Sequence, residues 1–333
     1  MKVLVTGGAG YIGSIMTNIL LDNNHDVVVV DRVKNSSVEV NNKAKFHQLD
    51  ILNTAELVEL LASEQPTAVI HFAGLISMEE STRKPELYFK VNTTGSLSLL
   101  TAMLNTGTNN LIFSSSAGVY GDTDTVPITE LAAKRPTNPY GESKLMVEAM
   151  LAWFWRTKHL ASLALRYYNP AGASLDGSLG ENHKPETHII PLALKAAKEG
   201  TEFKLYGSDY DTADGSCVRD YIHVVDLCQA HLMALDSLIS QARHDTYNIG
   251  TGKGWSNKEV IDTVKKVTRK ELSVKIEARR PGDAAELIAD PTKIKQALGW
   301  KPTHSDLEEI IRSAWEYANQ GRSLHEVEGG TLR

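Results

Sequence analysis

The sequence predicts an α/β fold in which a parallel sheet is doubly wound by helices and followed by a smaller α/β domain. Three observations carry this. Short apolar runs alternate with helical patterns through the first half of the 333 residues. The first run opens directly into closely spaced glycines, Gly7, Gly10 and Gly13. The second, Val27-Val28-Val29-Val30, is closed by an acid, Asp31. Continuous apolar runs, unlike alternating ones, belong to strands buried on both faces, the condition of a parallel sheet under helices.

The elements follow in order. Residues 2–6 form a short apolar strand, and residues 11–23 carry apolar side chains at helical spacing. Residues 27–30 are the second strand and 45–49 a weaker third. Residues 55–63 read as helix, 68–72 as strand, 85–105 as a helix with a proline start, and 110–116 as a strand ending in three serines. Residues 169–185 are rich in Gly, Pro, Ser and Asn and read as loop. Helical patterns follow at 189–200, 226–240, 256–268 and 305–320, with short strands at 203–206, 246–249 and 274–278. A boundary falls near 168, giving domains 1–168 and 169–333, and elements after Arg219 are free to return to the first.

Composition removes several function classes. Hydrophobic residues are 42% and charged residues 23%, so the chain is globular and long enough for a sizeable core. Net charge is −6, which leaves no basic excess to neutralise nucleic acid. Two cysteines, Cys217 and Cys228, make neither a disulfide framework nor a four-cysteine zinc site. Eleven histidines include no H-x-x-x-H pair with acidic companions, so no metal is expected. No apolar run matches a secretory signal or a membrane span, so a cytoplasmic protein is expected, and the sequons at Asn35 and Asn92 are read as accidental.

The glycine turn has the context that gives such triplets meaning, with a strand before and a helix after. Glycine allows a tight turn and close backbone approach to a pyrophosphate seated on the helix N-terminus. Here that helix would open at Tyr11 and Ile12. The fold is then Rossmann-type. Asp31 stands where an acid accepts hydrogen bonds from both ribose hydroxyls and repels a 2′-phosphate, which favours NAD. Arg32 beside it is compatible with NADP. Asp50 and Ile51, after the third strand, are placed to flank an adenine.

Tyr140 and Lys144 are four apart on one helical face, and Ser116 ends a strand 24 residues upstream of Tyr140. A lysine ammonium lowers a neighbouring phenol from about 10 toward neutrality, and a nicotinamide cation would add to that. Such a tyrosine exchanges a proton with a substrate hydroxyl, and a serine at a strand's carboxyl end can hold the same hydroxyl. Alone, the tyrosine and lysine read as a surface pair; the serines and glycines make them a site.

Together these motifs resemble the extended short-chain dehydrogenase/reductases. They are Thr6 to Gly13, His71-Phe72-Ala73-Gly74, Ser114 to Ala117 with Val119-Tyr120-Gly121, and Asn138 to Lys144. The nearer resemblance is to the UDP-glucose 4-epimerase family. It is carried by Arg166 to Pro170, Pro185 to His188, Asp209 to Thr212, Val218 to His223 and Arg279 to Asp283. The resemblance implies an NAD-binding domain and a UDP-sugar-binding domain, a homodimer, and UDP-glucose and UDP-galactose as substrates. Tyr140 would take the 4-hydroxyl proton while a retained NAD takes the C4 hydride. The 4-keto sugar would turn over, and the hydride would return to its other face.

The same resemblance implies further contacts. Asn35, Ser36, Phe72, Ala73, Gly74, Ile76, Asn92 and Tyr168 would join the cofactor residues. Asn169, His188, Lys204, Leu205, Tyr206, Arg219, Arg280, Asp283 and Leu287 would hold substrate, the arginines on the diphosphate and Asp283 on the ribose. Ile76 stands where many members carry a lysine, and Gly118 where a threonine is usual. Leu287 occupies a pocket position that tunes acceptance of N-acetylated sugars. Three alternatives remain. One is another sugar-nucleotide epimerase or decarboxylase of UDP-glucuronate type. A 4,6-dehydratase is opposed by Ala117-Gly118 in place of an Asp-Glu pair. The last is a non-catalytic NAD-binding regulator.

Overall fold

The computed structural model describes residues 1–33, 40–123, 125–183, 185–280 and 283–320, so Asn35 and Ser36 lie outside the described residues. The chain opens with β1 (Lys2–Thr6), α1 (Tyr11–Asp22), β2 (Asp26–Asp31), β3 (Lys45–Gln48), α2 (Thr54–Glu64) and β4 (Ala68–His71). Next come α3 (Met78–Arg83), α4 (Pro85–Tyr88), α5 (Gly95–Thr106), β5 (Asn110–Ser116), α6 (Pro139–Lys158) and β6 (Ala161–Tyr167). The remainder begins with β7 (Asn169–Ala171), α7 (Ile189–Glu199), β8 (Phe203–Tyr206), β9 (Val218–Arg219), β10 (Tyr221–His223) and α8 (Val224–Ser240). It ends with β11 (His244–Ile249), β12 (Trp255–Ser256), α9 (Asn257–Thr268), β13 (Val274–Glu277), β14 (Glu286–Leu287), α10 (Thr292–Leu298) and α11 (Leu307–Asn319).

Seven strands form one parallel sheet in the order β11-β6-β5-β4-β1-β2-β3. Side chains of a strand alternate between faces, and both faces here are apolar. Val3 and Val5 of β1 join Val27, Ile70 and Leu163 in a core shared with α1 and α8. Leu4 points the other way, with Val28, Val69 and Phe113, against α2, α5 and α6. The chain reverses direction outward from β1, with β2 on one side and β4 on the other, so the crevice opens where the glycine turn lies.

A third core gathers α7, α9 and α11 around Ile190, Leu194, Val260, Val264 and Ile310. Small pairings tie this second layer together: β7 with β10, β8 with β13, and β9 between β12 and β14. Strand β11, although it follows residue 168, pairs in register with β6 at the edge of the large sheet.

Several elements differ from the sequence reading. Asn169–Ala171, within the segment read as loop, pairs as β7 with β10, and α3, α10 and the short strands β9, β10, β12 and β14 carry no clear periodic signal. Strand β6 was not singled out, although every residue of it is buried. Arg166 within it breaks the apolar run, and only its partners make that burial tolerable. The single helix expected over 85–105 is interrupted by a π-type turn, Phe89–Thr94, where Gly95 donates to the carbonyl of Lys90 five residues back. That turn inserts Asn92 inward. Gly95 is required just after it, because a Cβ there would stand 2.7 Å from Ile51 Cδ1.

Candidate active site

The glycine turn builds a cradle that no larger residue fits. Gly7 has φ +72°, and a Cβ on it would sit 2.6 Å from the Ala73 backbone nitrogen. A Cβ on Gly13 would overlap the Gly7 carbonyl oxygen and lie 2.8 Å from Gly8 Cα. Gly10 ends the turn as the N-cap of α1, with no capping side chain and no acid in the helix's first turn. The first amides of α1 therefore keep their donors for an anion. Asp31 accepts from Ala9 N–H at 3.2 Å and from Val33 N–H at 3.2 Å, and burial raises its carboxyl above the usual value. An uncapped helix end beside a strand-end carboxylate fits the pyrophosphate and ribose of a dinucleotide. Gly13→Ala should therefore leave the purified protein with less than about a tenth of the wild-type NAD, since its methyl has no backbone escape. Extraction and absorbance read the loss, and full NAD content would contradict it.

A directed hydrogen-bond chain sets the wall of that cradle. Ala73 N–H donates to Thr6 Oγ1 (3.4 Å), and Thr6 pairs with His71 Nδ1 (2.6 Å). His71 Nε2 pairs with Ser96 Oγ (2.9 Å), which donates to the Asn92 carbonyl (2.5 Å). Because the Ser96 proton is committed to Asn92, His71 must donate from Nε2 and accept at Nδ1. Burial lowers the ring to about 3, so it stays neutral at physiological pH. The Asn92 side chain receives Leu75 N–H (2.8 Å) and donates to the Leu75 carbonyl (3.0 Å) and Ser143 Oγ (3.1 Å). Its side chain thus holds the Gly74–Ile76 loop through the Leu75 backbone. The hydrogen-bonding roles of Thr6 and Ser96 were not legible in the sequence.

Ser116, Tyr140 and Lys144 converge at the carboxyl end of β5. Asn138 caps α6 by accepting Gly141 N–H (2.9 Å), and Pro139 starts the helix. Gly141 lets the helix sit on the Gly118 carbonyl, which a Cβ would meet. The Ser116 hydroxyl lies close enough to the Tyr140 phenol to act on it, and Ser116 Oγ accepts Gly118 N–H (3.0 Å). Gly118 packs closely against them: a Cβ there would stand 3.3 Å from Ser116 Oγ and 3.6 Å from Gly141 Cα. Lys144 is 4% exposed, donates to the Ser114 carbonyl (2.8 Å) and lies 5.9 Å from the Tyr140 ring centre.

The electrostatics correct one expectation. The Tyr140 phenol is raised, not lowered: burial dominates, and the Ser116 hydroxyl offsets part of it. Burial also lowers Lys144 to about 8, and its charge is directed at a carbonyl as well as toward the tyrosine. The protein alone does not make Tyr140 a base near neutrality, because desolvation disfavours both charged forms.

The second half brings another group together. Arg219 Nη1 donates to the carbonyls of Val218 (2.9 Å) and Ala284 (2.8 Å), and Nη2 lies 3.8 Å from Asp283. Arg280 pairs with Asp283 (3.1 Å) and its guanidinium lies 5.0 Å from the Tyr206 ring centre. Leu287 is the register partner of Arg219 and packs against the core of Ala117, Val119 and Tyr168, which links this group to the turn after Ser116. Asn169 donates to the Asp220 carbonyl at 3.0 Å.

Other expected contacts fall differently. Leu205 points into the third core, 3% exposed, while Lys204 and Tyr206 face away from it, so the Leu205 side chain is not at the site. Tyr11 is buried, and its hydroxyl donates to the Gly172 carbonyl (2.7 Å). Its offer to a cofactor is its backbone amide. Ile51 is buried against Gly95, Asp50 closes a turn on Leu52 N–H (2.9 Å), and Phe72 packs on His231 at 5.0 Å. Arg32 and Ile76 are exposed. The Tyr168 hydroxyl is buried without a partner among the described residues. His188 Nδ1 lies 2.6 Å from Glu181 and 3.2 Å from Glu186. Burial alone would lower its ring, but the two carboxylates carry it to about 10.

Comparison with known proteins places this geometry. A family model described as GDP-mannose 4,6 dehydratase matches residues 4–314. The UDP-glucose 4-epimerase of Lactobacillus helveticus is 45% identical over 319 residues, 95% of this chain and 97% of that one. A crystal structure of UDP-glucose 4-epimerase from Stenotrophomonas maltophila, with bound NAD and formylated UDP-arabinopyranose, superposes with TM-score 0.91 at 40% identity. It covers 95% of this chain and 97% of that one. The UDP-Glc/GlcNAc 4-epimerase of Campylobacter jejuni matches at TM-score 0.83 and 38% identity, covering 96% and 99%. Shared sequence over nearly the whole length, with the same fold, settles the family: this chain belongs to the UDP-glucose 4-epimerases.

Proposed function

We propose that this chain interconverts UDP-glucose and UDP-galactose in the cytoplasm, using NAD that it keeps bound. The observation that carries the reading is the meeting of Ser116 and Tyr140 at the end of β5, with Lys144 buried one helical turn on and the glycine cradle alongside. NAD, when bound, supplies a hydride acceptor that can return the hydride and a positively charged ring near the phenol. Tyr140 takes the proton of the substrate 4-hydroxyl at its phenolic oxygen and later returns it. Ser116 holds that hydroxyl in line, and Lys144 stabilises the phenolate while it exists. Arg219 and Arg280 hold the diphosphate, and Asp283 the ribose, so the hexose can turn over while the nucleotide stays fixed. The uncapped start of α1 and Asp31 retain the dinucleotide.

The test uses purified protein and UDP-galactose with no added cofactor. Formation of UDP-glucose without accumulation of reduced cofactor supports the reading. Reduction of supplied NAD in step with substrate would replace it with a dehydrogenase. Leu287 in place of a bulkier residue favours UDP-N-acetylglucosamine as a second substrate, tested in the same assay. The chain works as a homodimer on this reading. Leu97 of α5 with Met146 and Trp153 of α6 are exposed at 41%, 39% and 61%, an apolar face that a second copy would cover. Sedimentation as a dimer is expected, and a monomer at working concentration would remove the proposal.

A further inference from the structure

Four side chains outside the catalytic group surround one point between the glycine turn and the start of α7. Glu181, His183, Glu186 and His188 follow an E-x-H-x-x-E-x-H spacing. One donor atom from each lies within 4.8 Å of every other. Both histidines present Nδ1 to the same oxygen of Glu181, at 3.0 Å from His183 and 2.6 Å from His188. Glu186 closes the set at 3.2 Å from His188 and 3.8 Å from His183. Glu181 is 6% exposed and Glu186 15%, so two largely buried carboxylates converge with two imidazoles.

Two imidazoles and two carboxylates are the donor set of a borderline divalent metal. Metal–ligand distances of about 2.0–2.2 Å put neighbouring donors of a tetrahedron roughly 3.3 Å apart. The four histidine–carboxylate separations, 2.6 to 3.8 Å, straddle that value. Charge also suits it, since a 2+ ion balances two carboxylates and neutral rings. The cluster lies against the cradle. The Tyr11 ring is 6.3 Å from His183, and His188 is the residue that starts α7.

We infer that Glu181, His183, Glu186 and His188 form a binding site for a zinc-class divalent ion, and that filling it withdraws His188 from the substrate. Binding itself stands on the cluster alone. The effect on turnover rests on the proposed epimerase reading, so the two are measured separately.

The experiment takes the NAD-loaded protein, strips metal with a chelator and removes the chelator. Zn²⁺ is then titrated against a chromophoric competitor, and Co²⁺ absorption is followed in parallel. One ion per chain is expected, with a tetrahedral cobalt spectrum. His183→Ala, a 26% exposed position outside the substrate contacts, should weaken zinc at least about tenfold while leaving metal-free turnover intact. Glu186→Gln should weaken zinc likewise. Absence of stoichiometric zinc, or equal affinity in both variants, overturns the site. If zinc binds and turnover is unaffected, the site stands and the withdrawal of His188 is wrong. If the metal-free protein has no epimerase activity at all, the function reading fails while the binding result still stands.

Discussion

Tyr140→Phe should lower turnover by about 10²–10⁴-fold while the protein folds and retains NAD. The substitution removes one oxygen and leaves the ring beside Lys144. Nothing in the glycine cradle or the caps of α1 and α6 depends on that hydroxyl. Its loss leaves no group able to move the 4-hydroxyl proton, because Ser116 is an alcohol with no charged partner among its bonds. Steady-state assay with UDP-galactose, alongside thermal melting and NAD content, reads all three quantities. Near wild-type turnover would remove Tyr140 as the acid/base. A matching fall in NAD content would recast it as a cofactor-holding residue. Lys144→Met should also lower turnover, because the phenol is already raised by burial and would lose its nearest cation. The pH dependence has a definite sign. A raised phenol must lose its proton to act as base, so the variant's residual activity should rise toward higher pH.

The second large effect is on stability. Glu148→Ala should cost about 3–5 kcal/mol of folding free energy. Glu148, one turn beyond Lys144 on α6, accepts Arg166 Nε at 2.8 Å and Nη2 at 2.5 Å, and Ser115 Oγ at 2.6 Å. Arg166 is 2% exposed, and its Nη1 donates to Tyr120 (2.7 Å), which donates to Asn248 (2.6 Å). Removing the carboxylate leaves a guanidinium buried without its counter-charge. Glu148→Leu combined with Arg166→Met should recover much of the loss, since no buried charge then remains. Urea unfolding measures both, and a cost below about 1 kcal/mol for the single variant would show that water replaces the carboxylate. The same pairing ties α6 to β5 and β6. The variant should therefore turn over more slowly even when folded, as Ser116 and Tyr140 lose their fixed spacing.

Much of the fold was legible because it is written in local periodicity. Apolar runs, helical spacing and the glycine turn are properties of neighbouring residues, and the parallel sheet with its helices followed from them. Strand β6 escaped because Arg166 breaks its apolar run, and its burial becomes tolerable only when Glu148 and Tyr120 arrive from elsewhere. The interruption of the helix over 85–105 escaped for a related reason. Asn92 turns inward to satisfy the Leu75 backbone, a demand made by a loop seventeen residues away.

By itself, the sequence determined the cradle, the acid that closes β2, the tyrosine–lysine spacing and the serine at a strand end. Each is a requirement that backbone geometry places on residues near one another in the chain. Only the tertiary structure decided which distant groups share a point. It turned Leu205 into core, gave Asn92 a loop to hold, ordered the protons through His71, and gathered two histidines and two carboxylates that no helical spacing announces. It also reversed the direction of the Tyr140 shift. Desolvation depends on everything packed around a phenol, and no spacing of residues along a chain contains that quantity.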